Sequence, residues 1–225
     1  RGLMIAAVLF IISAVGSAYP EMGFPHGAPH TFLTQFIIYR IIGGVGVGLA
    51  SMLSPMYIAE MAPASRRGGL VAWNQFAIIF GMLVVYFVNY FIALNGDEAW
   101  LTSTGWRLMF LSEVIPAALL FLLVLGVPES PRWLIMKGRE AKAVAILERI
   151  NGAPEAEVEA QSIRRSLHGT VKAKLFSYGV GVIVIGMLLS VFQQFIGINV
   201  VLYYAPEIFR NMGMGTNAAL AQTII

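Results

Sequence analysis

Between Gln193 and Pro206 the chain reads Gln-Gln-Phe-Ile-Gly-Ile-Asn-Val-Val-Leu-Tyr-Tyr-Ala-Pro, three amides and two phenols in a run otherwise apolar enough for a bilayer. A buried amide without a partner costs roughly 2 to 7 kcal/mol depending on the reference phase, so Gln193, Gln194 and Asn199 need partners from the protein or from something that arrives. Inward-facing amides next to aromatic rings, Tyr203 among them, suit an uncharged, polyhydroxylated ligand. In an unbroken helix Asn199 lies about 140° round from Gln194, so the two share one ligand only if the helix bends or unwinds at Gly197. Tyr203, four residues on, shares the Asn199 face. A departure from regular helix is therefore expected between Gly197 and Tyr203.

A second polar wall is written into another apolar stretch, where Met82, Tyr86 and Asn89 fall within about 40° of Gln75 on a helical projection. Polar contacts between membrane helices, worth about 0.6 kcal/mol each, account for such a stripe as well as a ligand does. Two full charges lie deeper in apolar surroundings, Arg40 and Glu113. Arg40 sits about 12 Å below the outer end of its segment, too far to reach water easily. Glu113 falls at a similar depth. Paired, they offset much of a burial cost of about 2.5 to 3.5 kcal/mol per charge. The pair is then either a structural one or a switch in which one member is lent to a proton-binding carboxylate. Gly44, Gly48 and Ser51 lie within about 80° of Arg40, so the same face is expected to let another helix approach closely.

The elements that must position these residues follow from composition. Hydrophobic residues make up 58% of the 225 positions and charged residues 12%, against about 25% charged in an average soluble domain. A bilayer core of about 30 Å needs about 20 apolar residues per helix, and the stretches that qualify run from Leu3 to Tyr19, Phe32 to Tyr57, Leu70 to Leu94, Arg107 to Val127 and Leu175 to Phe209. A sixth is expected to begin near Asn217. The chain opens on Arg1 and stops inside an apolar run, which reads as a fragment. With no Cys, and with His26, His30 and His168 in loops without ligand spacing, neither a disulfide nor a metal or other cofactor is expected. No nucleophile, base and metal set occurs in the spans, which argues against an enzyme.

The net charge of +3 is explained by topology, without nucleic acid as a partner. Twelve of the fifteen Lys and Arg lie at Arg1, at Arg66-Arg67 and between Arg132 and Lys174, whereas the connections Pro20 to Thr31 and Asn95 to Trp106 hold none. By the positive-inside rule the first helix runs outwards and the rest alternate. Glu60-Met-Ala-Pro-Ala-Ser-Arg66-Arg67-Gly68 is then a cytoplasmic turn, either a topology signal or a charge latch that bridges neighbouring helices. From Pro128 to Lys174 the composition becomes charged and two surface helices are expected, joined at Asn151-Gly152.

Three motifs in order carry a family resemblance: Ile42 through Gly44, Gly48, Tyr57 and Glu60 to Arg67; Pro128-Glu-Ser-Pro-Arg-Trp133 directly after a span; and Gln193-Gln-Phe-Ile-Gly-Ile-Asn199. Together they resemble the sugar porter family of the major facilitator superfamily, and the likeness covers essentially the whole chain. It implies an all-α membrane protein with a partial major facilitator fold, the five spans being the third to seventh of twelve. Residues 1–127 would be the later part of the first six-helix half, 128–174 a cytoplasmic helical linker and 175–225 the start of the second half. It further implies a monomeric, multi-pass protein of the bacterial inner membrane that moves a neutral monosaccharide, D-xylose or a similar sugar, with a proton across the lipid bilayer. Carried onto this sequence, the sugar-contacting amides are Gln75, Gln193, Gln194 and Asn199, and Tyr203 belongs to the outer gate. Arg40 and Glu113 act with a protonatable Asp outside this chain, and Glu60, Arg66, Arg67, Glu129 and Arg132 form a cytoplasmic gate. Met82 departs from the expected pattern, which in xylose carriers has a glutamine behind the pocket. A facilitative uniporter and a sugar sensor without transport are the alternatives within this implied fold.

Overall fold

The computed structural model describes residues 1–22, 31–63, 65–168, 179–213 and 215, with only the backbone course at Thr31, His168, Gln194, Ile198 and Asn199. The expected start of a sixth span near Asn217 lies outside these residues. The chain divides into two units, Arg1–Ala160 and Gln161–Ile225.

In the first unit α1 (Gly2–Ala18) packs along α2 (Thr31–Met61), and α3 (Arg67–Ala93) lies against α2. The small residues of α1 are what bring it close: Ala6, Ala7, Ser13, Ala14, Gly16, Ser17 and Ala18 are all buried. A Cβ at Gly16 would overlap the Tyr39 ring, and one at Gly43 would overlap Ser13. One at Gly46 would stand 3.1 Å from the Phe10 ring. The α1 seam thus uses Gly43 and Gly46. The expected stripe through Gly44 and Gly48 is not this seam, since a Cβ at either would have nothing within 4 Å.

The fourth expected span begins earlier than its composition suggests. Asp97 caps α4 (Glu98–Trp100) by accepting from the Trp100 N–H at 2.8 Å. A single π-helical turn, Leu101–Gly105, leads into α5 (Trp106–Ser112) and α6 (Val114–Leu125). The polar residues that read as a loop satisfy themselves along the helix: Thr102 donates to the Glu98 carbonyl at 3.0 Å and Ser103 to that of Trp100 at 3.2 Å. Helical structure is continuous enough for Glu98–Leu125 to reach membrane-spanning length, as do Phe32–Met61 and Arg67–Ala93. The first span is shorter, at 17 residues.

Beyond the membrane helices, Ser130 is the cap of α7 (Pro131–Met136), accepting from the Trp133 N–H at 3.2 Å, while Pro131 occupies a position where its missing N–H costs nothing. The amphipathic α8 (Glu140–Asn151) ends at Gly152, whose φ of 88° suits only glycine. Next comes α9 (Ala153–His168), so the two expected surface helices and their junction are present. In the second unit the expected single span from Leu175 to Phe209 is divided, within the described residues, into α10 (Val180–Phe195) and α11 (Ile198–Asn211).

Candidate functional site: the Arg40–Glu113 pair and the broken helix

Arg40 projects from the first third of α2 and Glu113 from the junction of α5 and α6, and the structure brings them together with Nη1 and Oε2 3.9 Å apart. That is an ion pair but too long for a hydrogen bond. The junction follows from the sequence: Pro116 has no N–H to offer the Ser112 carbonyl, so the helix tightens locally and the Glu113 N–H donates to Phe110 at 3.2 Å. The Arg40 guanidinium also lies over the Phe110 ring, 5.2 Å from its centroid. Phe110 is itself held edge-on by Phe36 at 5.5 Å and by Trp106 at 6.2 Å.

Further out, Arg107 makes a second cationic centre that sequence reasoning missed. Its Nη1 donates to Glu21 at 2.6 Å and to the Ala18 carbonyl at 3.0 Å, and its guanidinium stands 4.8 Å from the Trp106 ring and 5.6 Å from that of Tyr19. Burial raises the Glu21 carboxyl, but the hydrogen bond from its own backbone N–H together with the bond and charge of Arg107 more than offset this, leaving it below the usual carboxylate range. The available signal was Arg107 beside Trp106 at the outer end of an expected span. Its partner stands 86 positions away in sequence, which no local pattern marks. Phe36, Trp106, Arg107 and Glu21 line one cavity of about 550 Å³.

Of the expected sugar-contacting residues, Gln75 is exposed on α3, one position after Asn74, whose Oδ1 accepts from Ser54 of α2 at 2.9 Å. That bond ties α2 to α3 one residue before Gln75. Gln193 is exposed near the end of α10, and Tyr203 is exposed on α11. The side chains of Gln194 and Asn199 lie outside the described residues. Between the helices Gly197 is left-handed, with φ 78° and ψ 4°, so the expected break exists. It is confined to Ile196 and Gly197, because α11 is regular from Ile198 through Tyr203. Gln75 belongs to the first unit, Gln193 and Tyr203 to the second.

The expected cytoplasmic gate residues are distributed over separate places. Glu60, in the last turn of α2, and Glu129 line a cavity of about 330 Å³ with Tyr57 and Ser130. Tyr57 donates to the Pro128 carbonyl at 2.8 Å, tying α2 to the Pro-Glu-Ser-Pro-Arg-Trp motif. Arg66 instead borders a cleft with Glu155 and Glu159, and Arg67 donates to the Ala62 carbonyl at 3.5 Å. Arg132 is exposed on α7. Among the described residues, no ion pair joins Glu60 or Glu129 to Arg66, Arg67 or Arg132.

The profile of the family described as sugar (and other) transporter matches residues 1–225. The chain belongs to this family of transporters. It is 59% identical over 233 residues to the D-xylose-proton symporter of Escherichia coli, covering 99% of this chain and 48% of that protein. It is 37% identical over 226 residues to the glucose facilitated diffusion protein of Zymomonas mobilis, covering 99% of this chain and 47% of that protein. Among solved structures, the E. coli major facilitator proton:xylose symporter bound to 6-bromo-6-deoxy-D-glucose superposes with a TM-score of 0.88 at 58% identity, over 99% of this chain and 49% of that one. The chain therefore spans about half the length of the relatives it matches and has a partial major facilitator fold. Among the described residues three helices reach membrane-spanning length, and the family is one of membrane transporters rather than enzymes.

Proposed function

We propose that the complete protein carries a neutral monosaccharide, D-xylose first, by proton symport with alternating access. The observation that carries this reading is the Arg40–Glu113 pair, 3.9 Å apart between membrane-spanning helices. Arg40 favours the charged form of any carboxylate beside it, so a proton-binding carboxylate elsewhere in the complete protein takes its proton only when Arg40 is drawn off to Glu113. A long ion pair of this kind is a partner that can be taken up and given back. Sugar held by the amides of Gln75, Gln193, Gln194 and Asn199 then favours the state in which the outer side is closed by the Tyr203 region, which Gly197 allows to tilt as a separate helix. Glu60, Arg66, Arg67, Glu129 and Arg132 serve the cytoplasmic side.

Downhill facilitation is the second reading, favoured by the likeness to a facilitated diffusion protein. Met82, on the Gln75 stripe, keeps the choice of sugar open to a hexose or another pentose. Counterflow of labelled D-xylose in proteoliposomes holding the complete protein decides the substrate. Exchange of xylose is expected, and exchange of another sugar in its absence would overturn the assignment. Uphill accumulation driven by an imposed proton gradient then separates symport from facilitation.

A further inference from the structure

We propose that Phe110 is a positioning residue for proton coupling, acting through Arg40; this rests on the coupling role given to Arg40 above. The Arg40 guanidinium has two neighbours of different kinds, the Glu113 carboxylate at 3.9 Å and the face of the Phe110 ring at 5.2 Å. The carboxylate gives a strong attraction that depends on its charge and on competing carboxylates. The ring gives a weaker one that no proton can switch off. Phe110 is well placed for this because its own orientation is set twice, by Phe36 of α2 at an interplanar angle of 73° and by Trp106 at 80°. Trp106 is in turn covered by Arg107, which Glu21 and the Ala18 carbonyl hold. The ring is thus braced from both sides while the cation above it is free to change partner.

The consequence is a bias. With the ring in place, Arg40 has a resting position on the Glu113 side while the coupling carboxylate carries its proton. Without the ring, Arg40 rests on that carboxylate instead and keeps the proton off, so the gradient no longer drives sugar uphill efficiently. Binding and exchange of sugar need no net proton movement and are left in place.

The test uses the complete transporter in proteoliposomes and reads two quantities, uphill accumulation of D-xylose under an imposed proton gradient and xylose counterflow without one. Phe110→Met, which keeps an apolar side chain of somewhat smaller volume but removes the ring, is expected to lower accumulation about threefold or more while counterflow stays within about twofold of the parent. Phe110→Tyr, which keeps the ring face, is expected to match the parent in both. Normal accumulation in Phe110→Met, or a parallel loss of accumulation and counterflow that marks a purely structural role, would overturn the proposal. Arg40→Cys run alongside separates this from the underlying reading. Normal accumulation in Arg40→Cys removes the coupling role and the proposal with it, whereas its loss there beside normal accumulation in Phe110→Met removes the proposal alone.

Discussion

Two arginine–glutamate pairs lie within a few helical turns of each other and are built to opposite ends. Arg107 and Glu21 meet at 2.6 Å, with the Ala18 carbonyl sharing the same guanidinium nitrogen and two aromatic rings beside it. Arg40 and Glu113 stand 3.9 Å apart over a single ring. A short, charge-assisted bond with a third partner fixes geometry. A long pair to which, among the described residues, nothing else is bonded fixes little. The rim pair staples the outer end of α1 to α5, and the inner pair is, on our proposal, a movable contact inside the membrane helices.

The contrast breaks most visibly under substitution of the arginines. Arg40→Cys is expected to abolish uphill accumulation while leaving counterflow measurable, and Arg107→Gln to keep both activities while lowering thermal stability. If the rim variant uncoupled transport instead, the division of roles would be wrong. On the proposed coupling role Glu113→Gln removes the carboxylate that would draw Arg40 away, so accumulation should fall sharply with the fold intact by thermal melting. Next in size is Gly197→Ala, which places a side chain at φ 78° and should cost about 1 to 2 kcal/mol in stability. Unchanged melting would mean that the α10–α11 break relaxes without its glycine.

The smallest effect sharpens the comparison through pH. The Glu21 carboxyl is held below its usual range, so the stability it contributes is present above the unfolded carboxyl pKa and is lost as pH falls through the folded value. The Glu21 side chain is 41% exposed, so screening limits that contribution to at most about 0.5 kcal/mol. Glu21→Gln should therefore melt slightly lower than the parent at neutral pH and equal it in acid. A gap that persists in acid would assign the loss to packing rather than charge.

The inner pair was legible because a charge in an apolar helix must find a partner, and only two candidates of opposite sign lay at matching depth. The helix break was legible because Gln194 and Asn199 point different ways on any regular helix with a glycine between them. Rotation about a helix axis was not. Gly44 and Gly48 share a face with Arg40, yet α1 docks on Gly43 and Gly46, since Ser13 and Phe10 decide which small residues are used. The start of the fourth span was hidden as well. Thr102, Ser103 and Thr104 look like loop residues until the first two return their hydroxyls to carbonyls of their own helix. The gate residues gather in sequence near the two basic stretches, but Glu60 and Arg66 border different cavities.

The most direct measurement of the central claim is proton movement on addition of sugar. In lightly buffered proteoliposomes holding the complete transporter, with a pH dye outside, D-xylose should cause an immediate alkalinisation that is absent in Arg40→Cys. Rapid xylose counterflow without any pH change in the parent protein would contradict proton symport and leave the Arg40–Glu113 pair as structure alone.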